Sequence, residues 1–158
     1  MRIRLSIVAI LAMAVLAPAC AGTDPYESAE SFRRQGRCDQ AVEEYSRAIE
    51  GARSDHELAR AYYFRSLCRE ELGQAGPAYA DAYAALRMSC YLAATERDMR
   101  TRPLGFVIGP AYCRGEGPAR LAKLGGELTE QETLRMRLAA EQDLPRRIRE
   151  TPLPEQAR

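Results

Sequence analysis

The residues of this chain most able to do chemistry are its cysteines. There are five, and Cys38, Cys68, Cys90 and Cys113 lie far apart along the sequence. Four thiols could bind a metal, carry redox chemistry or form two disulfides. The pattern disfavours zinc, because the chain has no C-x-x-C pair and its single histidine is His56. The missing C-x-x-C also argues against thioredoxin-like redox chemistry.

Carboxylates are the second group with chemical potential. A glycoside hydrolase needs two of them, and the candidates here are Glu43, Glu44, Glu70, Glu71 and Asp81. All five fall in predicted helices at surface spacing, which favours solvation over catalysis. The chain also has no G-x-S-x-G, H-E-x-x-H or phosphate-loop motif. We therefore predict that it is not an enzyme and uses no cofactor or metal.

The composition is that of an ordinary globular domain. Of the 158 residues, 46% are hydrophobic and 28% are charged, which is enough for one modest core. The formal net charge is +1, which gives no electrostatic argument for binding nucleic acid. We therefore predict no nucleic-acid partner.

The beginning of the chain, MRIRLSIVAILAMAVLAPAC, has the pattern of a secretory signal peptide. Arg2 and Arg4 give it a positive start, and an apolar run follows from Leu5 to Leu16. This run is shorter than the roughly 20 residues that a membrane-spanning helix needs. We therefore predict a cleaved signal peptide at residues 1–19 and an exported protein.

Cys20, at the end of this leader, resembles the lipid-attachment cysteine of bacterial lipoproteins. Ala19 is the small residue expected before that cysteine, whereas Ala17 stands where leucine is usual and Pro18 is an uncommon neighbour. The resemblance implies an acylated Cys20 and a membrane anchor made by lipid chains. Ordinary cleavage after Ala19 or Ala21 is the alternative.

In an exported chain, the even number of remaining cysteines favours two disulfides. Three pairings are possible, and we favour Cys38–Cys68 with Cys90–Cys113. The first pair would tie the beginning of one helix to the helix that packs after it. In the chain-entropy model such a link, which closes a loop of about 30 residues, is worth about 3–4 kcal/mol.

Two stretches of similar pattern predict the elements that position these residues. The first, from Gly36 to Glu50, is a turn followed by an amphipathic helix with small and aromatic residues on one face. The second, from Gly73 to Leu86, repeats that pattern. Each follows another predicted helix. A repeated helix, turn and helix predicts an all-α fold and is typical of a solenoid.

At these positions the chain resembles tetratricopeptide repeat proteins. The residues that carry the resemblance are small or aromatic and lie on helix faces: Ala29, Phe32, Ala41, Tyr45, Ala48, Tyr62, Ser66, Ala78, Ala82 and Ala85. The chain departs from the family at Arg69, where an aromatic is usual, and at Ser28 and Arg65, where leucine is common. The resemblance implies two repeats over residues 24–90. A plain antiparallel helical bundle is the alternative.

Two such repeats rarely bury a core alone, so the rest of the chain should cap them. We predict capping helices over residues 91–144, interrupted by a Gly- and Pro-rich loop at 102–118. Thr129 begins a capping box, and the helix that follows could cover the end of the solenoid with Leu134, Met136, Leu138 and Ala140. The polar tail at 145–158 is predicted to be flexible.

The resemblance also implies a binding groove, because the first helix of each repeat lines a concave surface in that family. Carried onto this chain, the groove positions are Tyr26, Glu30, Arg33, Arg60, Tyr63, Leu67 and Glu70. The two tyrosines and the mixed charge suit an extended peptide with apolar side chains. They do not resemble the carboxylate-clamp variant of the family, which relies on asparagine and lysine.

The function predicted from these features is that of an adaptor or scaffold in the bacterial envelope. The protein would be a lipoprotein that faces the periplasm and binds an unidentified envelope protein or peptide. A purely structural lipoprotein shares every one of these features. A further alternative is an envelope enzyme or a small-ligand-binding protein that uses the loop at 102–118.

Overall fold

A computed structural model describes residues 24–95, 109, 111–153 and 155. The predicted signal peptide at 1–19 and the predicted lipid-attachment residue Cys20 lie outside the described residues. Residues 102–108 and 110 of the predicted loop, and 154 and 156–158 of the predicted tail, also lie outside them.

The described chain is all-helical, as the sequence predicted. Its helices, in chain order, are α1 (Pro25–Arg34), α2 (Cys38–Glu50), α3 (Asp55–Glu71), α4 (Ala75–Thr95), α5 (Gly117–Gly125), α6 (Glu130–Asp143) and α7 (Arg146–Arg149). A π-helical turn, Tyr112–Glu116, leads directly into α5. Within the described ranges, no helix has both the length and the apolar character needed to cross a membrane.

Local chemistry explains where these helices begin and end. Asp24 caps α1 by accepting a hydrogen bond from the backbone N–H of Tyr26 at 2.9 Å. The predicted capping box at Thr129 is confirmed at the start of α6. The turns after α1 and α3 contain Gly36 and Gly73, whose φ angles are 71° and 70°. Only glycine adopts this left-handed conformation at little cost, so these two residues end their helices.

The helices pack in sequence and then around α4. Helix α1 lies against α2, α2 against α3 and α3 against α4, while α5, α6 and α7 all contact α4. The small residues Ala41, Ala82 and Ala85 are fully buried at these contacts, which lets neighbouring helices approach closely. Tyr45, also fully buried, fills the space between α1, α2 and α3.

A buried ion cluster joins α3 to α4. Asp81 of α4 accepts hydrogen bonds from Arg65 at 2.8 and 2.7 Å and from Arg69 at 2.9 Å. Asp81 is only 2% exposed, so its charge requires these partners. Arg65 and Arg69 are two of the positions at which the sequence departs from the tetratricopeptide pattern, and the ion cluster gives both a structural role.

Two predicted boundaries in the middle of the chain were wrong. Helix α4 continues to Thr95, beyond the predicted end of the repeats at residue 90. The last part of the loop predicted at 102–118 is helical, because it contains the π-helical turn and the first residues of α5. Gly117 and Pro118 suggested a loop, yet both are buried at the beginning of α5, where proline is tolerated.

The tail predicted to be flexible at 145–158 contains a packed helix instead. Ile148 of α7 is fully buried. Arg87 of α4 donates a hydrogen bond to the carbonyl oxygen of Ile148 at 2.9 Å and another to that of Arg149. One isoleucine among arginines gives a weak sequence signal, but its burial and a buried arginine hold the segment in place.

Of the four apolar α6 residues predicted to cover the end of the fold, two pack against it and two do not. Leu134 and Leu138 are 57% and 56% exposed. Ala140, which is buried, and Met136, which is partly buried, face the core as predicted. Arg137 adds a hydrogen bond to the hydroxyl of Tyr79 at 2.7 Å.

Candidate functional site

The predicted groove residues fall into two groups in the structure. We call Tyr26, Arg33 and Arg60 the α1 half, since all three lie on or against α1. We call Tyr63 and Glu70 the α5 half, since both are covered by the chain that leads into α5. The other two predicted positions are structural: Glu30 is buried, and Leu67 is partly buried against the core.

The α1 half is a surface of aromatic rings and guanidinium groups. The Arg60 guanidinium lies 4.6 Å from the centroid of the Tyr26 ring, and the Arg33 guanidinium lies 4.6 Å from that of Phe64. The Tyr26 ring meets those of Tyr45 and Phe64 edge to face, at 5.9 and 6.5 Å. Burial raises the pKa of Tyr26 to about 12, so its hydroxyl is neutral at physiological pH.

Glu30 supports this surface through hydrogen bonds with two of its neighbours. It accepts hydrogen bonds from Arg33 at 3.1 and 2.9 Å and from the hydroxyl of Tyr45. Burial works to raise the pKa of Glu30, but the hydrogen bonds from Arg33 and Tyr45 outweigh it and leave that pKa below its usual value. Glu30 therefore positions the α1 half and joins α1 to α2.

A cleft of about 370 Å³ lies beside Tyr26, between the start of α1, the end of α2 and the start of α3. Arginines and carboxylates both line it, including Arg53, Arg60, Glu27 and Glu57. Arg60 forms no ion pair with any residue in the described part of the chain. The Tyr26 hydroxyl and the Arg60 Nε have no hydrogen bond of good geometry there, although the Arg60 guanidinium is close enough to the hydroxyl to oppose the rise in the pKa of Tyr26. Unpaired polar groups of this kind are uncommon in folded proteins.

The α5 half is covered by the chain itself. Tyr63 is 6% exposed and donates a hydrogen bond from its hydroxyl to Glu116 at 3.1 Å. The Tyr112 ring meets that of Tyr63 edge to face at 5.3 Å. Glu70 pairs with Arg120 and Lys123, each at 2.6 Å. A partner could reach neither Tyr63 nor Glu70 without displacing these contacts.

The covering segment is fixed by close packing and by a disulfide. A Cβ atom at Gly117 would lie 2.7 Å from Leu86 Cδ1 and 2.7 Å from the carbonyl oxygen of Tyr112. Only glycine therefore fits at this approach of α5 to α4. The Cys90–Cys113 disulfide links the end of α4 to the π-helical turn.

Comparisons of this chain with protein-family models, with curated proteins and with solved structures found no match. The candidate site is therefore argued from the residues of this chain alone.

Of the two disulfides that we favoured, the structure contains Cys90–Cys113 but not Cys38–Cys68. Cys38 and Cys68 are buried thiols. Cys38 donates a hydrogen bond to Glu71 Oε2 at 3.1 Å, which gives its thiol a partner without a covalent bond. Among the residues that the structure describes, no group of three or more cysteine, histidine or acidic side chains could hold a metal ion.

The carboxylates considered for hydrolysis have separate partners. Asp81 lies between Arg65 and Arg69 inside the fold, and Glu70 pairs with Arg120 and Lys123. Elsewhere, Glu44 pairs with Arg47 on the surface, Glu71 accepts from the thiol of Cys38, and Glu43 is exposed. His56 lies in the first turn of α3.

Sequence reasoning missed the residues that cover the α5 half. Tyr112, Glu116 and Arg120 lie more than 40 positions from the α3 residues that they contact. The one available signal was Tyr112 next to Cys113, because a disulfide-bonded cysteine fixes its neighbours. The glycines and prolines around them indicated a loop and hid that signal.

Proposed function

We propose that this protein is an adaptor of the bacterial envelope, of the tetratricopeptide-like type, that binds a partner segment along the α1 half. The observation that carries the proposal is the Arg60 guanidinium, which stacks on Tyr26 beside the cleft and forms no ion pair with a described carboxylate. The α1 half offers aromatic rings and, at Arg60, a guanidinium group with no ion-paired carboxylate among the described residues. These features suit an extended segment with apolar side chains and some polar groups.

Two features of the helices support the repeat interpretation. Equivalent small residues, Ala41 on α2 and Ala78 on α4, are fully buried. The equivalent turn residues Gly36 and Gly73 have the same left-handed conformation. A helical bundle without repeats would require neither correspondence.

The envelope location rests on the sequence of the leader and of Cys20. Only Ala21, Gly22 and Thr23 separate Cys20 from Asp24, which lines the cleft. If Cys20 is acylated, this short tether keeps the cleft near the membrane surface. The partner would then be a protein or peptide of the same membrane region.

The test is site-specific photo-crosslinking in cells with the full-length protein. A photo-reactive amino acid replaces Arg33 in the α1 half, and in a matched control it replaces the exposed Arg135 on α6. We expect one reproducible envelope partner to be captured from position 33 and not from position 135, and the adduct to be lost when Tyr26→Ala is added. Equal capture from both positions, or none above background, would contradict the proposal.

Mass spectrometry of the same purified protein tests the anchor. An acylated Cys20 as the first residue supports the lipoprotein assignment, whereas a chain that begins at another residue with an unmodified thiol contradicts it. Depletion of the captured partner distinguishes an adaptor from a structural component. An adaptor exchanges partners, so the amount of cross-linked adduct should fall when the partner is depleted, while the cellular level of the protein itself stays normal.

A further inference from the structure

The two thiols that the structure leaves unlinked lie together between α2 and α3. Cys38 is the first residue of α2 and is 4% exposed, and Cys68 of α3 is fully buried. Each thiol influences the pKa of the other, and Cys38 also donates to Glu71 at 3.1 Å. Helix α2 packs against α3, so the two cysteines belong to helices in contact.

The folded protein protects these thiols from oxidation. Disulfide exchange requires a thiolate that can reach the oxidant. Burial is the largest cause that raises the pKa of both Cys38 and Cys68, and the nearby Glu71 carboxylate raises both further. Neither thiol is therefore exposed or ionised once α2 and α3 have packed.

The Cys90–Cys113 disulfide is the second observation. Its two residues are 4% and 6% exposed. An external oxidant has the same poor access to this site as to the other pair. A disulfide at such a site is made while the chain is still open, in surroundings that oxidise thiols.

We propose that Cys38 and Cys68 are joined as a second disulfide while the chain folds, and that folding with both thiols reduced closes the site to later oxidation. The oxidant is a disulfide, either a small molecule such as oxidised glutathione or a protein thiol oxidase. One thiolate of the pair attacks a sulfur of the donor and releases its first thiol. The second thiolate then displaces the donor's other thiol. Two electrons and two protons leave the pair, and the donor is reduced to two thiols.

This inference is independent of the proposed function, since it concerns only the state of the fold. Its structural consequence is nevertheless local to the α1 half. A link from the start of α2 to α3 would fix α2 on α3, and Tyr45 of α2 supports the ring of Tyr26.

The experiment is oxidative refolding of the full-length protein with Cys20→Ser, which removes the fifth thiol. Reduced, unfolded chain is refolded with oxidised glutathione, then unfolded with an alkylating agent, digested and analysed by mass spectrometry. In a second arm, the chain is refolded under reducing conditions first and the oxidant is added afterwards. We expect a Cys38–Cys68 linkage in the first arm. In the second, that linkage should form at least about 100-fold more slowly, since the buried thiols can react only when the packed helices open.

The matched controls are Cys38→Ala and Cys68→Ala, each of which should leave one alkylated cysteine and an unchanged helical circular dichroism spectrum. Both thiols still alkylated after oxidative refolding would overturn the inference. So would a predominant linkage from Cys38 to Cys90 or Cys113. Equally fast oxidation in the two arms would overturn the claim that folding closes the site. Neither measurement requires a partner or an activity.

Discussion

The α1 half and the α5 half both include residues of α3, yet their polar side chains differ in the origin of their partners. In the α5 half the partners come from later in the chain: Glu116 accepts from Tyr63, and Arg120 and Lys123 pair with Glu70, although the Tyr112 hydroxyl and the Arg120 Nε have no hydrogen-bond partner among the described residues. In the α1 half, Arg33 pairs with Glu30 of its own helix, whereas Arg60 stacks on Tyr26 without an ion-paired carboxylate in the described chain.

This difference separates stability from recognition. Charged groups that pair within the chain fix a segment in place, whereas an arginine stacked on an aromatic ring without an acid is available to another molecule. A prediction of the groove from helix periodicity alone places both halves in one equivalent binding surface. The structure divides them, and each prediction below tests that division.

The largest effect should come from Gly117→Ala, which acts on the segment that covers the α5 half. The added Cβ would lie 2.7 Å from the backbone oxygen of Tyr112 and 2.7 Å from Leu86 Cδ1. Because a backbone atom cannot move aside cheaply, we expect a loss of about 3 kcal/mol in the free energy of unfolding. Urea denaturation measures it.

The matched control is Gly115→Ala in the same turn, where an added Cβ meets nothing within 4 Å. This variant should be neutral or slightly stabilising, by less than about 1 kcal/mol. Equal losses in the two variants would mean that the covering segment is not closely packed, and the α5 half would then be open to a partner.

The second effect is the loss of the disulfide that anchors the same segment. The double substitution Cys90→Ser with Cys113→Ser should cost about 2 to 4 kcal/mol in non-reducing buffer, because the link spans 23 residues. In reducing buffer the wild-type protein loses the same link, and the difference between the two proteins should largely vanish. A difference that persists unchanged would assign the loss to the serine side chains rather than to the link.

The order of these effects also shows what the sequence could predict. The first four helices were found because their signals are local: glycine at the left-handed turns, small residues at helical spacing, and Asp24 before Pro25. The capping box at Thr129 was found for the same reason. Each of these features concerns residues within one or two turns of each other, which is the range over which periodicity and capping act.

The contacts that divide the groove could not be predicted in this way. Tyr63 meets Tyr112 and Glu116 only after the chain has passed through α4 and returned. The contact between α4 and the Ile148 segment also joins residues that are far apart in the sequence. Such contacts depend on how complete helices pack, and a single sequence carries no local signal for them. The carboxylate partners of Arg65 and Arg69 were missed for the same reason.

A smaller effect is expected from Glu70→Gln, which removes the ion pairs of the α5 half. The hydrogen bond from Lys123 is the main cause that lowers the pKa of Glu70 below 4.5, and Arg120 adds to it. A lowered pKa gives stability that is fully present above the unfolded value near 4.5 and is lost as the pH falls through the folded value. Since Glu70 is partly exposed, we expect a loss of only about 1 kcal/mol at pH 7.

Thermal unfolding of both proteins between pH 7 and pH 3 tests this expectation. The melting temperatures should differ at pH 7 and converge as the pH falls toward 3, because the wild-type carboxyl becomes protonated on the way. A difference that stays constant across this range would show that the charge of Glu70 contributes nothing, and that the α5 half is held by packing alone.

The smallest effect should be that of Arg60→Gln in the α1 half. Arg60 has no ion-paired carboxylate among the described residues, so the substitution breaks no salt bridge. The contact of Arg60 with the Tyr26 ring contributes less than about 1 kcal/mol at a half-exposed site. The substitution also changes little of the free-energy cost of the unpaired Nε. Arg65→Gln in the same helix is the matched comparison. It would leave the buried Asp81 short of a partner and should cost about 3 kcal/mol.

Urea denaturation of the two variants therefore compares a recognition arginine with a structural one. If Arg60→Gln cost more than about 2 kcal/mol, Arg60 would be stabilising its own fold, and the α1 half would lose the observation that marks it as free to bind a partner.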